Sequence, residues 1–253
     1  LYKQLQAQSI SLYLGHVHAM PTANVFPINH IVTFIRNPQT QVLSHFHHYA
    51  RWHHYKGSID EFITNKGFMN VQSRILRGLP LQLIGFVGIT EHYSESLELY
   101  NSYSGFNLEA RRDNQNSHHV KPENKMELLI SDNNKEDFEL YTKASLLFAQ
   151  RLALKKMNKE WCFSFIDLEN TNGIAGVAYM AVDENPVKLV IKSNGEVVGE
   201  CIANLHRPGL ASFGVPNNGF VGFNFPFPKK AKLHNITVEV AATGQVLERK
   251  YLI

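Results

Sequence analysis

Residues Ile31 to Ala50, IVTFIRNPQTQVLSHFHHYA, constrain the fold more than any other stretch, because a strand, a turn and a helix follow one another without a spacer. Ile31-Val32-Thr33-Phe34-Ile35 is a β-branched and aromatic run with no polar alternation. Such a run suits a strand covered on both faces in a parallel sheet. Arg36 then falls at the strand's carboxyl end, Asn37 is a good N-cap, and Pro38 suits the first helical position, where a missing N–H costs nothing. Val42, Leu43, Phe46 and Ala50 recur at three- and four-residue spacing, which gives an apolar face expected to pack on the sheet. Ligands of open α/β sheets gather at strand carboxyl ends, and helix N-termini attract anions through unpaired N–H groups and the helix dipole. Arg36 adds a permanently charged, bidentate phosphate binder at that point. Ser44, six residues past Pro38, reaches the same anion only if the loop and first turn fold over it. On periodicity alone, an ordinary strand-helix unit with a surface arginine explains the stretch equally well.

With 253 residues and 44% apolar content, the chain can hold one large domain or two smaller ones. A formal net charge of +3 is too small to argue for nucleic acid, although thirteen histidines raise it below neutral pH. Cys162 and Cys201 lie far apart and make neither a metal-ligand nor a redox spacing, which points to a reducing cytoplasm. No stretch approaches roughly eighteen uninterrupted apolar residues, and no basic segment followed by an apolar core opens the chain. No Gly-x-x-x-x-Gly-Lys occurs, so a kinase-like P-loop enzyme has little support.

Leu1 to Gln6 reads as a helix already under way, and Ile10, Leu12 and Leu14 alternate as a strand that ends at Gly15-His16. A lone histidine in such a place is more often structural than catalytic. His45, His47, His48, His53 and His54 lack an acidic or cysteine partner at metal-ligand spacing, so they read as a solvated helix face and loop, with no metal. Ser58-Ile59-Asp60-Glu61 is a capping box, with Gly67 as the expected stop. Leu83 to Val87 is a second buried-strand run, followed by a helix for which Thr90 is the expected cap. Asn107 to Glu123 form a polar, basic loop, and a long helix over Asn134 to Lys156 carries Asp137 and Glu139 in its first turn.

After Trp161 the helix period gives way to a strand period. Val187 to Ile191 and Val197 to Cys201 flank Asn194-Gly195, a strong hairpin signal, and Ile236, Val238 and Val240 alternate before Thr243-Gly244. These features predict a small β-sandwich of roughly ninety residues.

Arg36-Asn37-Pro38 followed by Ser44 resembles the 3′-phosphate-binding segment of sulfotransferases that use 3′-phosphoadenosine 5′-phosphosulfate (PAPS), especially the heparan sulfate 2-O-sulfotransferase-like carbohydrate sulfotransferases. In that family an Arg-Asp-Pro-like turn ends a core strand and a serine eight residues after the arginine shares the phosphate; Asn37 stands where Asp is usual. Gly15-His16-Val17 matches the segment that carries the family's proposed catalytic base, and a histidine near neutrality can take the acceptor's proton; His18 is a nearby competitor. Phe86 to Tyr93 is also reminiscent of the family, and Ser117 matches by position a loop that folds over the nucleotide.

The resemblance implies a P-loop-like parallel-sheet α/β domain over residues 1–160, incomplete at its N-terminus, followed by a β-sandwich accessory domain over 161–253. It implies sulfuryl transfer from PAPS to a carbohydrate hydroxyl, with His16 as base, Arg36, Ser44 and Ser117 binding the nucleotide, and no metal. One departure matters. The family's Pro-Lys-Thr-Gly-Gly-Thr-like loop, whose lysine and amides hold the 5′-phosphosulfate, has no counterpart here, so this polypeptide by itself is expected to transfer little or no sulfate. The later part resembles a β-domain appended to bacterial glycosyltransferases and sulfotransferases, through Gly173 to Tyr179, Asn204 to Leu210 and Gly219 to Phe223. The alternative from another class is a noncatalytic glycan-binding or scaffold protein built on a degenerate sulfotransferase domain.

Overall fold

The structure, a computed structural model, describes residues 15, 17–110, 124–181, 183, 185–228 and 233–253. The helix expected at Leu1 and the strand expected from Ile10 to Leu14 lie outside the described residues. In chain order the first elements are α1 (Ala19–Ala23), β1 (Val32–Ile35), α2 (Pro38–Trp52), α3 (Ile59–Thr64), α4 (Val71–Leu76), β2 (Phe86–Ile89) and α5 (Tyr93–Ser104). Then follow α6 (Asn124–Asn133), α7 (Lys135–Lys156), β3 (Cys162–Asn170), β4 (Gly173–Met180), β5 (Val187–Ser193) and β6 (Glu196–Ala203). The last are β7 (Leu205–His206), α8 (Pro208–Ala211), β8 (Phe220–Pro226) and β9 (Ile236–Val240). The fold is mixed α/β, with parallel and antiparallel pairing.

Packing divides the chain into two compact units that interleave in sequence, where the sequence suggests a single cut near residue 160. The first comprises Leu1–Val32, Gly78–Phe86 and Ala149–Leu252, the second Thr33–Arg77 and Val87–Phe148 with Ile253. Hydrogen bonds to backbone carbonyls, two from backbone N–H groups and one from a side chain, explain the interleaving. Ile28 N–H donates to the Phe213 carbonyl at 2.8 Å, Leu81 N–H to the Tyr251 carbonyl at 3.0 Å, and the Gln82 amide to the Arg249 carbonyl at 2.6 Å. Two early segments are thereby fastened to the β-rich part of the chain.

In the first unit, β3-β4-β8-β7 and β6-β5-β9 form two antiparallel sheets around one apolar core. Ile166, Ile174, Ala178 and Phe223 come from one sheet, and Leu189, Ile191, Ala203, Val238 and Val240 from the other. That is the layering of a β-sandwich. The β5-β6 turn takes the form its sequence demands, with Asn194 at φ 49° and Gly195 at φ 87°.

In the second unit, β1 pairs with β2 in a two-stranded sheet. Burial on both faces holds for β2, whereas in β1 only Ile35 is buried and Val32 is 37% exposed. The apolar face of α2 packs on helices rather than on the sheet. Val42 shares a core with Phe62 and Ile63 of α3 and Ile130 of α6, flanked by Leu43, Phe46 and Tyr49, while Ala50 is exposed. Among the described residues of the second unit helices offer more apolar surface than the two short strands, and helix-on-helix packing wins. Ser58 and Glu61 form the expected capping box, but α3 stops at Thr64, before Gly67. Thr90 does not cap α5; Thr90–His92 make a 3₁₀ turn, and no side chain caps the helix that follows. Among the described residues no helix is long and apolar enough to cross a membrane.

Candidate functional site

Asn37 caps α2 as its sequence suggests: its side-chain oxygen accepts from Gln39 N–H at 3.0 Å, and Pro38 occupies the first helical position. The remaining donors of this turn are drawn inward. Asn37 N–H donates to the Glu91 carboxylate at 2.9 Å, and the Thr40 hydroxyl approaches the same oxygen at 3.3 Å and the Asn37 carbonyl at 3.0 Å. Pro38 has no N–H to offer. The expectation of unpaired amides waiting for an anion at this terminus is therefore corrected: Glu91 and the Asn37 side chain already use two of them.

The anion-binding capacity resides instead in the Arg36 side chain. Its Nε donates to Thr40 Oγ1 at 3.1 Å, and among the described residues neither terminal guanidinium nitrogen has a partner. Thr40 and Ser44 are four residues apart on α2 and so share one face, opposite Val42, Phe46 and Tyr49 of the apolar cluster. Arg36, Thr40 and Ser44 therefore line one side of the helix. Ser44 is half-buried and its hydroxyl has no partner among the described residues.

Arg36 is held from behind. The Gln72 side chain accepts from Arg36 N–H at 2.8 Å and donates to the Arg36 carbonyl at 2.9 Å, as a neighbouring strand would. Gln72 sits in the first turn of α4, whose N-terminus is closed by Asp137 of α7: the carboxylate accepts from Gln72 N–H at 3.2 Å and from Ser73 N–H at 2.7 Å. The arrangement is reciprocal. Asn70 accepts from Asp137 N–H at 3.2 Å, and Asn134 accepts from Asn70 N–H at 2.9 Å, so two helix ends cap each other. Asn70 takes the left-handed conformation, φ 49°, which asparagine tolerates best after glycine.

Tyr141 reaches the same corner. Its phenol is raised above the ordinary value by burial first and then by the nearby Glu91 carboxylate. His45, on α2, is not part of a solvated face as its neighbours suggest. Its ring lies edge-on to Tyr49, Phe62 and Phe68 at centroid distances of 4.8, 5.4 and 5.6 Å, and burial lowers its pKa, helped by His48 and His53. Among the described residues no group of three His, Cys, Asp or Glu side chains is placed to hold a metal. His16 and Ser117 lie outside the described residues. Sequence pattern singled out Arg36 and Ser44; it missed Thr40, Gln72, Glu91 and Asp137, whose partners lie as many as 67 residues away. Comparison with protein-family models, curated proteins and solved structures gave no match to this chain.

Proposed function

We propose that this protein belongs to PAPS-dependent sulfuryl transfer to carbohydrate, with Arg36 and Ser44 as the cradle of the nucleotide's 3′-phosphate. The observation that carries the reading is the Arg36 side chain: a guanidinium fixed at Nε by Thr40, its backbone clamped by Gln72, and its outer two nitrogens open beside the Ser44 face. A planar donor fork with two open N–H edges matches a phosphate bidentately. Ser44 adds a hydroxyl along the same face, and the fixed Nε limits the side-chain entropy lost on binding.

In this reading the donor supplies the sulfuryl group, and the chain's own residues orient the nucleotide. His16 takes the proton of the acceptor hydroxyl as the S–O bond to the acceptor forms and the bond to the bridging phosphate oxygen breaks. The anionic bisphosphonucleotide leaves. As in phosphoryl transfer, the rate comes from positioning and charge stabilisation more than from covalent chemistry.

The test is binding rather than turnover. Titrating the protein with adenosine 3′,5′-bisphosphate and, separately, with adenosine 5′-monophosphate isolates the 3′-phosphate. The reading requires the bisphosphate to bind at least about tenfold more tightly, the yield of one charge-assisted phosphate contact. Equal affinities, or no binding of either, would remove it.

A further inference from the structure

The first unit holds a polar cavity of about 460 Å³, lined by residues of β3, β7 and α8 together with the segments around Pro80 and Lys250. Asp167, His206, Arg207 and Lys250 supply its polar groups, and Pro80 and Leu252 are among its apolar walls. We propose that this cavity binds an acidic saccharide, one that carries a carboxylate or sulfate beside free hydroxyls. The proposal stands independently of the sulfuryl-transfer reading.

Two irregularities in one sheet build the site. In β3, Ile166 pairs with Gly176 and Leu168 with Ala175, which leaves Asp167 as an extra, bulged residue. In the β7-β8 pair, Leu205 faces Gly222 but His206 faces Phe220, so the ladder shifts again just before Arg207. Bulges re-aim side chains and collect near binding sites. Here they turn residues from the two outer strands of the sheet toward each other, and Arg207 forms an ion pair with Asp167.

Arg207 reaches across β8 only because position 222 is glycine. A Cβ on Gly222 would fall 2.7 Å from Arg207 Cγ and 2.8 Å from Cδ. Lys250 is delivered from the other side. Ile166 N–H donates to the Glu248 carbonyl at 2.8 Å and Lys250 N–H donates to the Ile166 carbonyl at 2.7 Å, a parallel bridge that sets Lys250 next to the bulge. Its ammonium lies 5.3 Å from the Phe165 ring centroid and has no carboxylate partner among the described residues.

The charge count decides the ligand's sign. Two basic side chains, Arg207 and Lys250, face one carboxylate, and that carboxylate is already committed to Arg207. The unmatched charge is the Lys250 ammonium, so an anionic group is favoured there. Hydroxyl recognition decides the rest. Asp167 keeps one oxygen without a partner, Arg207 keeps Nε and Nη1, and the His206 ring, stacked on Phe220 at 4.7 Å, has no hydrogen bond among the described residues. Acceptors and donors side by side around an anion pocket suit a polyol with a single charged group better than a bare anion. The volume lies within the range of small-molecule sites and is wide enough for about two sugar rings.

The experiment titrates the full chain with glucuronosyl-N-acetylglucosamine, an O-sulfated disaccharide, lactose and sodium sulfate. The proposal expects the two acidic disaccharides to bind at least tenfold more tightly than lactose and sodium sulfate. Lys250→Met should weaken them about tenfold or more. Gly209→Asp, which adds a carboxylate at a cavity-lining position where an added Cβ meets nothing within 4 Å, should do the same. Both sites are open, so the variants keep the wild-type melting temperature. Equal binding of lactose or of sodium sulfate, failure of both acidic disaccharides to bind, or insensitivity to Lys250→Met and Gly209→Asp would each overturn the proposal.

Discussion

The Gln72 amide closes both backbone hydrogen bonds of Arg36, at 2.8 and 2.9 Å, and so holds in register a residue that lies just beyond the last hydrogen-bonded position of β1. Gln72→Leu keeps the bulk but leaves a part-buried N–H and carbonyl unpaired. Stability should fall by about 1–3 kcal/mol in urea titrations. Affinity for adenosine 3′,5′-bisphosphate should fall as well, although Gln72 touches no ligand in this account. A variant as stable as the wild type would show that the clamp is dispensable.

Asp137 is fully buried and accepts three hydrogen bonds from Gln72 and Ser73, including one from the Ser73 hydroxyl at 2.5 Å. Asp137→Ala strands these donors, and the expected cost is about 2–4 kcal/mol by urea denaturation. Asp137→Asn preserves part of the acceptor geometry and should cost less. Equal effects of the two substitutions would argue that packing, not capping, makes the site matter.

What the sequence disclosed were the local rules. Asn37-Pro38, Ser58 with Glu61, and Asn194-Gly195 each carry their conformational instruction within four residues, and each folds as written. The partner of the α2 apolar face was not legible in this way, because the spacing of Val42 and Phe46 says that a face exists but not whether a sheet or helices will cover it. The site was half legible for the same reason. Arg36 and Ser44 stand at a readable spacing, whereas Glu91, Gln72 and Asp137 reach the turn from elements remote in sequence. The Asp167 bulge has no local signature either; it arises from the pairing of two strands.

His45 makes stability depend on mild acid. Burial, followed by His48 and His53, lowers its pKa from 6.5, so the unfolded chain takes up a proton at this site more readily than the folded one. The contribution is complete above pH 6.5 and is lost as pH falls through the lowered value. His45→Leu should therefore flatten the stability profile below pH 6.5 relative to wild type. Parallel profiles for the two proteins would contradict the buried, neutral state of the ring.

Alkaline conditions act on the first unit in the opposite direction. Burial pushes the Cys162 thiol up to about 12 and the Cys201 thiol to about 11, against 9.0 for a free thiol, and it raises the Tyr179 phenol too. Below pH 9 both thiols are protonated in either state. Above it the unfolded chain releases its protons first, so folding stability declines with rising pH. Cys162→Ala should remove up to about 1.4 kcal/mol per pH unit of that decline between pH 10 and 11. In the native protein at pH 8, iodoacetamide should modify both thiols slowly, Cys162 more slowly than half-buried Cys201. Rapid labelling of Cys162 would refute its enclosure.

The most direct test of the account is calorimetric titration of adenosine 3′,5′-bisphosphate into the wild type and Arg36→Ala. The open guanidinium edge predicts a loss of about 10- to 150-fold in affinity, equivalent to about 1.5–3 kcal/mol, with the adenosine 5′-monophosphate titration unaffected. Bisphosphate affinity that survives the loss of Arg36 unchanged would contradict the assignment of this turn as the nucleotide's 3′-phosphate site.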